Sequence, residues 1–367
     1  MLFDFEVEVF YKIGVRTMFD YSYNATVAKA RAFYGKRLKE DDYRELLKKT
    51  TISEIAEYLK RDTHFSECLS SVDTNTVHRG YLEDILNREA FNEYVRLCNF
   101  QKLNKISFFN YRYINNEISV IVRCIIYINA GTSEKFLDTI SPYLAKHASF
   151  DMMKLAEVRS YDELLEVLEK TPYYEIIKDQ KPDDNGNYDC TEIDTLLRTY
   201  YVDWVRNSIK RDFSGGVEKD MLEITGMLYD LSNIYNAFRY KAFSCADEKE
   251  ISQILFPVAS RISKTRFSEL MNSESADEYI NILKKTGYGR RMYENNPEIS
   301  KSSLSHDIQI LRNKLAKNYL RKTTNAAVSI YTILFLLTTE VKNINTIIEG
   351  VRYGVSAQEI EELLVIV

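Results

Sequence analysis

The sequence predicts an all-α protein assembled from three similar helical units. Turn-forming residues are scarce, with 12 Gly and 5 Pro among 367 residues, which is less than half of their average share. Apolar residues recur at helical spacing almost throughout, as in Leu82, Ile85 and Leu86. One residue pattern occurs three times along the chain. These observations argue against β-sandwiches and barrels, which need frequent turns, and they favour long helices.

The first copy of the pattern begins with a helix start. Thr51 and Glu54 have the spacing of a capping box, in which the hydroxyl accepts an N–H three residues on and the carboxylate reaches back to the N–H of the cap. The apolar residues that follow share one buried helix face. The first copy consists of Leu46, Thr51, Glu54, Ile55, Leu59, Thr63 and Phe65. The second and third consist of Leu155, Ser160, Glu163, Leu164, Leu168, Thr171, Tyr173 and of Leu270, Ser275, Glu278, Tyr279, Leu283, Thr286, Tyr288.

Polar residues recur in register with this pattern. An Arg follows each copy on an amphipathic helix, and an Asn followed by an Arg precedes two of the copies. The recurring Arg are Arg88, Arg198 and Arg312, and the upstream pairs are Asn116 with Arg123 and Asn233 with Arg239. Near the C-terminal end, Asn343 repeats the position of Asn233. Because no base or nucleophile accompanies them, we interpret these residues as hydrogen-bonding partners of backbone groups between helices.

The spacing of the copies predicts the domain organisation. Helical unit one covers residues 1–105, unit two 106–220 and unit three 221–322. Residues 323–367 form a half-unit, which we expect to close on unit one. We expect the three units to be arranged with pseudo-threefold symmetry.

Composition and charge limit the function classes. The net charge of −5 argues against a nucleic-acid binder, which usually carries a basic stripe. The five cysteines are scattered without a C-x-x-C pair, which is typical of free thiols in a reducing compartment. Acidic residues interrupt the apolar start MLFDFEVEVF, so we expect no signal peptide. The most apolar stretch, Ala326 to Leu337, is shorter than the roughly 20 residues of a membrane span. We therefore expect a cytoplasmic chain with no transmembrane segment.

The sequence contains no pattern that carries a reaction. A P-loop, a G-x-S-x-G elbow and an H-E-x-x-H motif are all absent. The dipeptide His306-Asp307 occurs in helical metal-dependent phosphohydrolases, but a helix-start role with Ser305 as the cap is favoured here. Residues 183–189 resemble a calcium loop, yet their spacing does not fit an EF-hand, and a surface turn is favoured. We expect no catalytic residue, no metal and no cofactor.

Three segments together resemble the C subunit of bacterial and archaeal V/A-type rotary ATPases, the equivalent of the d subunit of the eukaryotic V-ATPase. The C-terminal run EVKNINTIIEGVRYGVSAQEIEELL matches the closing segment of that family at Glu340, Asn343, Ile344, Gly354, Glu359 and Ile360. The matching residues near the start are Tyr21, Tyr23, Asn24, Ala25 and Val27, and in the centre they are Asn233, Ile234, Arg239 and Lys241. Two positions depart from the family pattern: Glu117 follows Asn116 where Ile is usual, and Asn345 stands where many members have Arg.

The resemblance implies an all-helical funnel of three similar domains. It implies a rotor component that sits on the membrane proteolipid ring, receives the foot of the central stalk and transmits torque between ATP chemistry and the transport of H⁺ or Na⁺. In that family this component binds no nucleotide and catalyses no reaction. Two alternatives are a generic helical-repeat scaffold that binds peptides and, less favoured, the metal-dependent phosphohydrolase based on His306-Asp307.

Three charge-rich stretches are candidate contacts to the stalk or the ring. They cover residues 36–42, 181–189 and 287–291, and we expect them to be loops at one rim of the funnel, although ordinary solvated turns are the favoured interpretation. Within the last stretch, Arg290 and Arg291 are the candidate interface residues.

Overall fold

A computed structural model of the chain describes residues 24–100, 106–137, 140, 145–243, 251, 255–256, 261–294 and 303–367. These residues form α-helices and short 3₁₀ turns, and no β-strand occurs among them. The predicted all-α class is therefore confirmed. Tyr21, Tyr23 and the start MLFDFEVEVF lie outside the described residues.

The helices of the described residues are numbered here in chain order. Up to residue 243 they are α1 (24–35), α2 (Glu40–Leu47), α3 (Ile52–Asp62), α4 (Arg79–Phe100), α5 (Tyr111–Asn129), α6 (Met152–Glu157), α7 (Tyr161–Leu168), α8 (Pro172–Ile177), α9 (Cys190–Asp212) and α10 (Gly215–Phe243). The later helices are α11 (Lys264–Met271), α12 (Ala276–Lys284), α13 (Gly287–Tyr293), α14 (Leu304–Lys322), α15 (Ala326–Tyr353) and α16 (Ala357–Leu363).

The helices group into two compact bodies. The terminal body comprises residues 1–103, 219–224 and 287–367, and the central body comprises residues 104–218 and 225–286. The terminal body thus combines sequence from both ends of the chain. The division into three helical units and their pseudo-threefold arrangement stay predictions.

The core of the terminal body lies between the first helices of the chain and α15. One cluster of buried side chains joins residues of α2, α3 and α4 to residues of α15 and α16. From α15 it contains Ile344, Ile347 and Ile348, and from α4 it contains Leu82, Ile85 and Leu86. Full burial of a side chain of this size contributes about 1.5–3 kcal/mol, so α15 is a principal source of stability for this body.

Arg31 ties α1 to the end of α14. Its Nε donates to the carbonyl oxygen of Leu320 at 3.1 Å, and its Nη2 donates to the carbonyls of Arg321 at 2.9 Å and Thr323 at 2.8 Å. The last carbonyls of a helix have no partner within the helix. One guanidinium therefore satisfies three acceptors at the junction between α14 and α15.

The C-terminal turn is fixed by two glycines. Gly354 ends α15 in the left-handed conformation, with φ of 67°, which favours glycine. At Gly350, a Cβ atom would lie 2.5 Å from Cδ1 of Ile360 on α16. The absence of a side chain at position 350 thus lets α16 pack directly on α15.

The core of the central body lies between α5, α7 and α9. Ile118, Ile121 and Ile125 of α5 are fully buried, and they belong to the same cluster as Leu164 of α7 and Leu197 of α9. The repeat of buried residues every three or four positions is the pattern from which the sequence predicts helices here.

α15 is also long and apolar enough to cross a membrane by composition alone. However, 78% of its apolar window is buried inside the structure. The side chains of Glu340 and Asn343 are buried within this helix as well. α15 therefore has the character of a core helix.

Candidate functional site

The threefold pattern forms the same local structure three times. In each copy the predicted cap, Thr51, Ser160 or Ser275, begins a helix and its hydroxyl accepts the N–H of the Glu three residues later at 3.1–3.3 Å. The Glu carboxylate reaches one residue further back than a capping box predicts. It accepts the N–H of the residue before the cap, with pairs Glu54 and Thr50, Glu163 and Arg159, and Glu278 and Glu274.

The ends of the three repeated helices also share one hydrogen bond. The hydroxyls of Thr63, Thr171 and Thr286 each donate to the carbonyl oxygen of the preceding buried Leu at 2.6–2.7 Å. The Leu in question are Leu59, Leu168 and Leu283, all with no exposed surface. The repeat found in the sequence thus corresponds to a recurring local structure.

Asn343 and Asn233 clamp a distant stretch of backbone in the same manner. The amide of Asn343 donates to the carbonyl oxygen of Val365 at 3.0 Å, and its Oδ1 accepts the N–H of Val365 at 2.9 Å. Asn233 makes the same pair of hydrogen bonds to Phe256, at 3.0 and 2.8 Å. Both Asn side chains therefore join a long helix to a stretch of backbone distant in the sequence.

In α5 the corresponding contact is made by Glu117, one residue after the predicted Asn116. The buried carboxylate of Glu117 accepts the backbone N–H and, at 3.1 Å, the hydroxyl of Ser149, and it accepts the hydroxyl of Tyr173. Burial raises the pKa of Tyr173, as does the neighbouring Glu117 carboxylate, so this phenol stays a donor. Glu117 precedes the buried Ile118, just as Asn233 precedes the buried Ile234. Glu117 therefore occupies the position on α5 that is equivalent to Asn233 on α10.

Three residues before each Asn, a carboxylate holds a second backbone N–H. Asp230 accepts the N–H of Arg261 at 2.8 Å, and Glu340 accepts that of Leu38 at 2.6 Å. Arg261 precedes the repeat residue Leu270 by nine positions, and Leu38 precedes Leu46 by eight. Glu340 of α15 thus binds the backbone shortly before the first copy of the pattern. Asp230 of α10 binds the backbone shortly before the third copy in the same way.

Glu340 is the centre of a buried polar cluster. Its carboxylate is 1% exposed and lies 3.1 Å from Nε2 of His64 and 3.7 Å from Nε of Arg37. Burial acts to lower the pKa of His64, but the hydrogen bond to Glu340 and the charges of Glu340 and Glu93 raise it on balance. Burial, with the nearby carboxylates of Glu89 and Glu340, raises the pKa of Glu93 to about 7.

This cluster predicts a fall in stability as pH rises from about 4.5 to about 7. Glu93 and His64 bind their protons more tightly in the folded chain than in the unfolded chain, so the stabilisation is complete at low pH and is lost as pH rises through the folded values. For Glu93 the loss occurs between about 4.5 and 7. Glu93→Gln should therefore reduce the change in the urea midpoint between pH 5 and pH 7. An identical pH profile in the variant would contradict the assignment.

The other predicted repeat positions differ in their surroundings. Arg198 donates to Asp194 at 3.0 Å and to Oδ1 of Asn115 at 3.0 Å, which joins α9 to α5. Arg312 is half-buried and its guanidinium lies 5.4 Å from the ring centre of Phe335. Arg123 is half-buried, whereas Arg88 and Arg239 are exposed. These Arg residues thus differ in how far they are buried, although they share a register.

Of the three charge-rich stretches, one is a helix rather than the predicted loop. Arg290 and Arg291 lie in the last turn of α13 and are exposed. Residues 36–39 precede α2 as a turn, whereas residues 40–42 of the same stretch already belong to α2. Residues 181–189 form a loop. In that loop, Oδ1 of Asp183 accepts the N–H groups of Asn185 and Asn187 at 2.9 and 2.8 Å. This is the Asx-type surface turn favoured by the sequence.

His306 and Asp307 lie in the first turn of α14, whose N-cap is Ser303 and not the predicted Ser305. They line a cavity of about 280 Å³ together with Arg291 and Lys314. Burial lowers the pKa of His306. Within the part of the chain that the structure describes, His, Cys, Asp and Glu nowhere converge in a group of three or more that could hold a metal ion.

Sequence reasoning missed several of the residues that make these contacts. The roles of Glu117, His64 and Arg31 depend on partners distant in the sequence. The spacing of Glu117 from the repeat residue Leu155 could have identified it, because 38 positions separate them and 37 separate Asn233 from Leu270.

Comparison with known proteins relates this helical chain to one family. The family model "ATP synthase (C/AC39) subunit" matches residues 26–363. A protein of Methanosphaera stadtmanae, named as the C subunit of an A-type ATP synthase, is 22% identical over 351 residues, which are 94% of this chain and 88% of the relative. Proteins of the same name from Methanosarcina mazei and Thermococcus kodakarensis are 25% and 26% identical and cover 94% and 82% of this chain, with 93% and 77% of the relatives matched. The chain therefore belongs to the ATP synthase (C/AC39) subunit family and is a non-catalytic subunit of a rotary ATPase.

Proposed function

We propose that the chain is the rotor adaptor of an A/V-type ATPase. It links the central-stalk subunits to the membrane proteolipid ring and transmits torque between ATP chemistry and ion transport. It is held at the membrane through the complex and not by a span of its own. The observation that carries this proposal is the family match, which extends over residues 26–363.

The contacts of the terminal body support a torque-bearing role. A transmitting element needs segments that do not slide past one another under load. Arg31 fastens α1 to the end of α14 with three hydrogen bonds. Glu340 fastens the backbone at Leu38 to α15, and Asn343 fastens the backbone at Val365. Each bond is directional and joins segments far apart in the sequence, so sliding of these segments past one another would break it.

Reconstitution tests this function. Membranes prepared from cells that lack the chain should hydrolyse ATP without moving ions, because the catalytic head and the ring are no longer connected. Adding the purified full-length chain should restore ATP-driven ion uptake into inverted vesicles. Ion uptake that is equal with and without the chain would overturn the proposal.

The candidate interface residues provide a finer test. Arg290→Glu with Arg291→Glu should weaken binding to the stalk or the ring in a pull-down, because two exposed positive charges become negative. Arg321→Glu with Lys322→Glu is the matched control, since both are exposed and also stand in the last turn of their helix. Unchanged assembly of the Arg290/Arg291 variant, or equal weakening in the control, would count against this interface.

A further inference from the structure

A groove whose exposed surface is mainly apolar lies between α4, α15 and α16. Its volume is about 450 Å³, which is within the range of binding pockets. Tyr353, Val355 and Leu363 line it and are 70%, 38% and 60% exposed. They are three of the eight large apolar side chains that the described residues expose. Such a concentration on one face is typical of an interaction surface.

The turn between α15 and α16 fixes the positions of the exposed side chains of the groove. Gly354 ends α15 and points the chain toward α16. Ser356 and Glu359 then form a full capping box at the start of α16, with the Ser356 N–H bound to the Glu359 carboxylate at 3.1 Å. Ile360 packs on Gly350 and is 2% exposed. Because the groove is preorganised, a partner does not have to order it on binding.

The charges around the groove are mainly negative. Glu83 and Glu349 line it and are paired with Arg79, while Arg352 lies 3.8 Å from Glu349. α16 adds three exposed carboxylates and no basic residue: Glu359, Glu361 and Glu362. Five carboxylates thus line the groove or lie on α16 beside it, against two guanidinium groups. A complementary occupant carries positive charge beside its apolar residues.

The walls of the groove also favour a helical occupant. No strand edge occurs among the described residues, so the groove offers no ladder of backbone groups to an extended peptide. A helix satisfies its own backbone hydrogen bonds and presents apolar side chains at i, i+3 and i+4. We propose that this groove binds a basic amphipathic helix of another subunit of the ATPase. The choice of partner rests on the proposed function.

Photo-crosslinking in the assembled ATPase identifies the occupant. Thr346 lines the groove and is half-buried, and replacing it by benzoylphenylalanine places the reactive group there. We expect a crosslink to a segment of another subunit with helical apolar spacing and net positive charge. A crosslink to residues 1–23 of this chain, to a second copy or to an acidic segment would overturn the proposal, and so would no crosslink.

Binding measurements then test the named side chains. The crosslinked segment is made as a peptide and titrated against the full chain by fluorescence anisotropy. Tyr353→Ser and Leu363→Ser should each weaken binding by about tenfold or more, and Glu361→Lys with Glu362→Lys should weaken it and reduce its salt dependence. Met153→Ser, which removes a side chain that is 57% exposed in the central body, is the matched control. Equal affinity in the groove variants and the control would overturn the proposal.

The two proposals fail in different ways. If the chain restores ion uptake but position 346 gives no crosslink, the groove proposal is wrong and the proposed function stands. If the chain does not enter the ATPase at all, both are wrong.

Discussion

Replacing Glu340 by alanine should lower the free energy of unfolding by about 3–5 kcal/mol, as expected when one member of a buried charged group is removed. The N–H of Leu38 loses its acceptor, and His64 and Arg37 lose their carboxylate partner. Urea unfolding at pH 7, followed by circular dichroism, measures the change. Because the two ends of the terminal body meet at this carboxylate, we expect no larger effect from any other single polar substitution there.

Two variants serve as controls for Glu340→Ala. Glu340→Gln keeps an oxygen that can accept from Leu38 but removes the charge, so it should retain part of the lost stability. Glu362→Ala removes an exposed carboxylate of α16 and should change stability by less than about 0.5 kcal/mol. A change of that small size in Glu340→Ala would show that the buried cluster is not a structural anchor.

Glu117→Ala should destabilise the chain by about 2–4 kcal/mol, the sum expected when a part-buried N–H and two hydroxyls lose a buried, charged acceptor. The N–H and hydroxyl of Ser149 and the phenol of Tyr173 are the groups concerned. Thermal and urea unfolding of the variant measure the loss.

Asn116→Ala is the matched control because it changes the adjacent, half-buried position on the same helix. It should alter stability by less than about 0.5 kcal/mol. A larger effect for Asn116 than for Glu117 would show that Asn116 makes the structural contact, as predicted from the sequence. Tyr173→Phe should give a smaller loss of about 1 kcal/mol, since only one of the three hydrogen bonds is removed.

Features set by neighbouring residues can be predicted from the sequence. The starts of α3, α7 and α12 depend on a hydroxyl and a carboxylate three positions apart, and all three helices begin at the predicted Thr or Ser. The surface turn at Asp183 depends on an equally local arrangement. In such cases the residues that interact lie close together along the chain, so the sequence pattern is enough to predict the local geometry.

Features set by distant residues cannot be predicted in the same way. Glu340 belongs to a family motif, but its partners at positions 38 and 64 depend on how the chain folds back. In α5 the residue type favours Asn116 as the clamp, whereas the fold places Glu117 toward Ser149. The Gly and charge content around Arg290 favours a loop, yet Met292 is 5% exposed and Tyr288 is 4% exposed, and burial of these side chains stabilises α13.

The joining of both ends of the chain in the terminal body has a consequence for biosynthesis. The apolar faces of α3 and α4 are covered by α15, which is translated about 240 residues after α4 ends. At a translation rate of about 5–20 residues per second, those faces stay uncovered for roughly 12–50 s until α15 has been synthesised. The central body has its complete sequence much earlier. We therefore expect the central body to fold first on the ribosome, while the first hundred residues depend on chaperones until the last helices emerge.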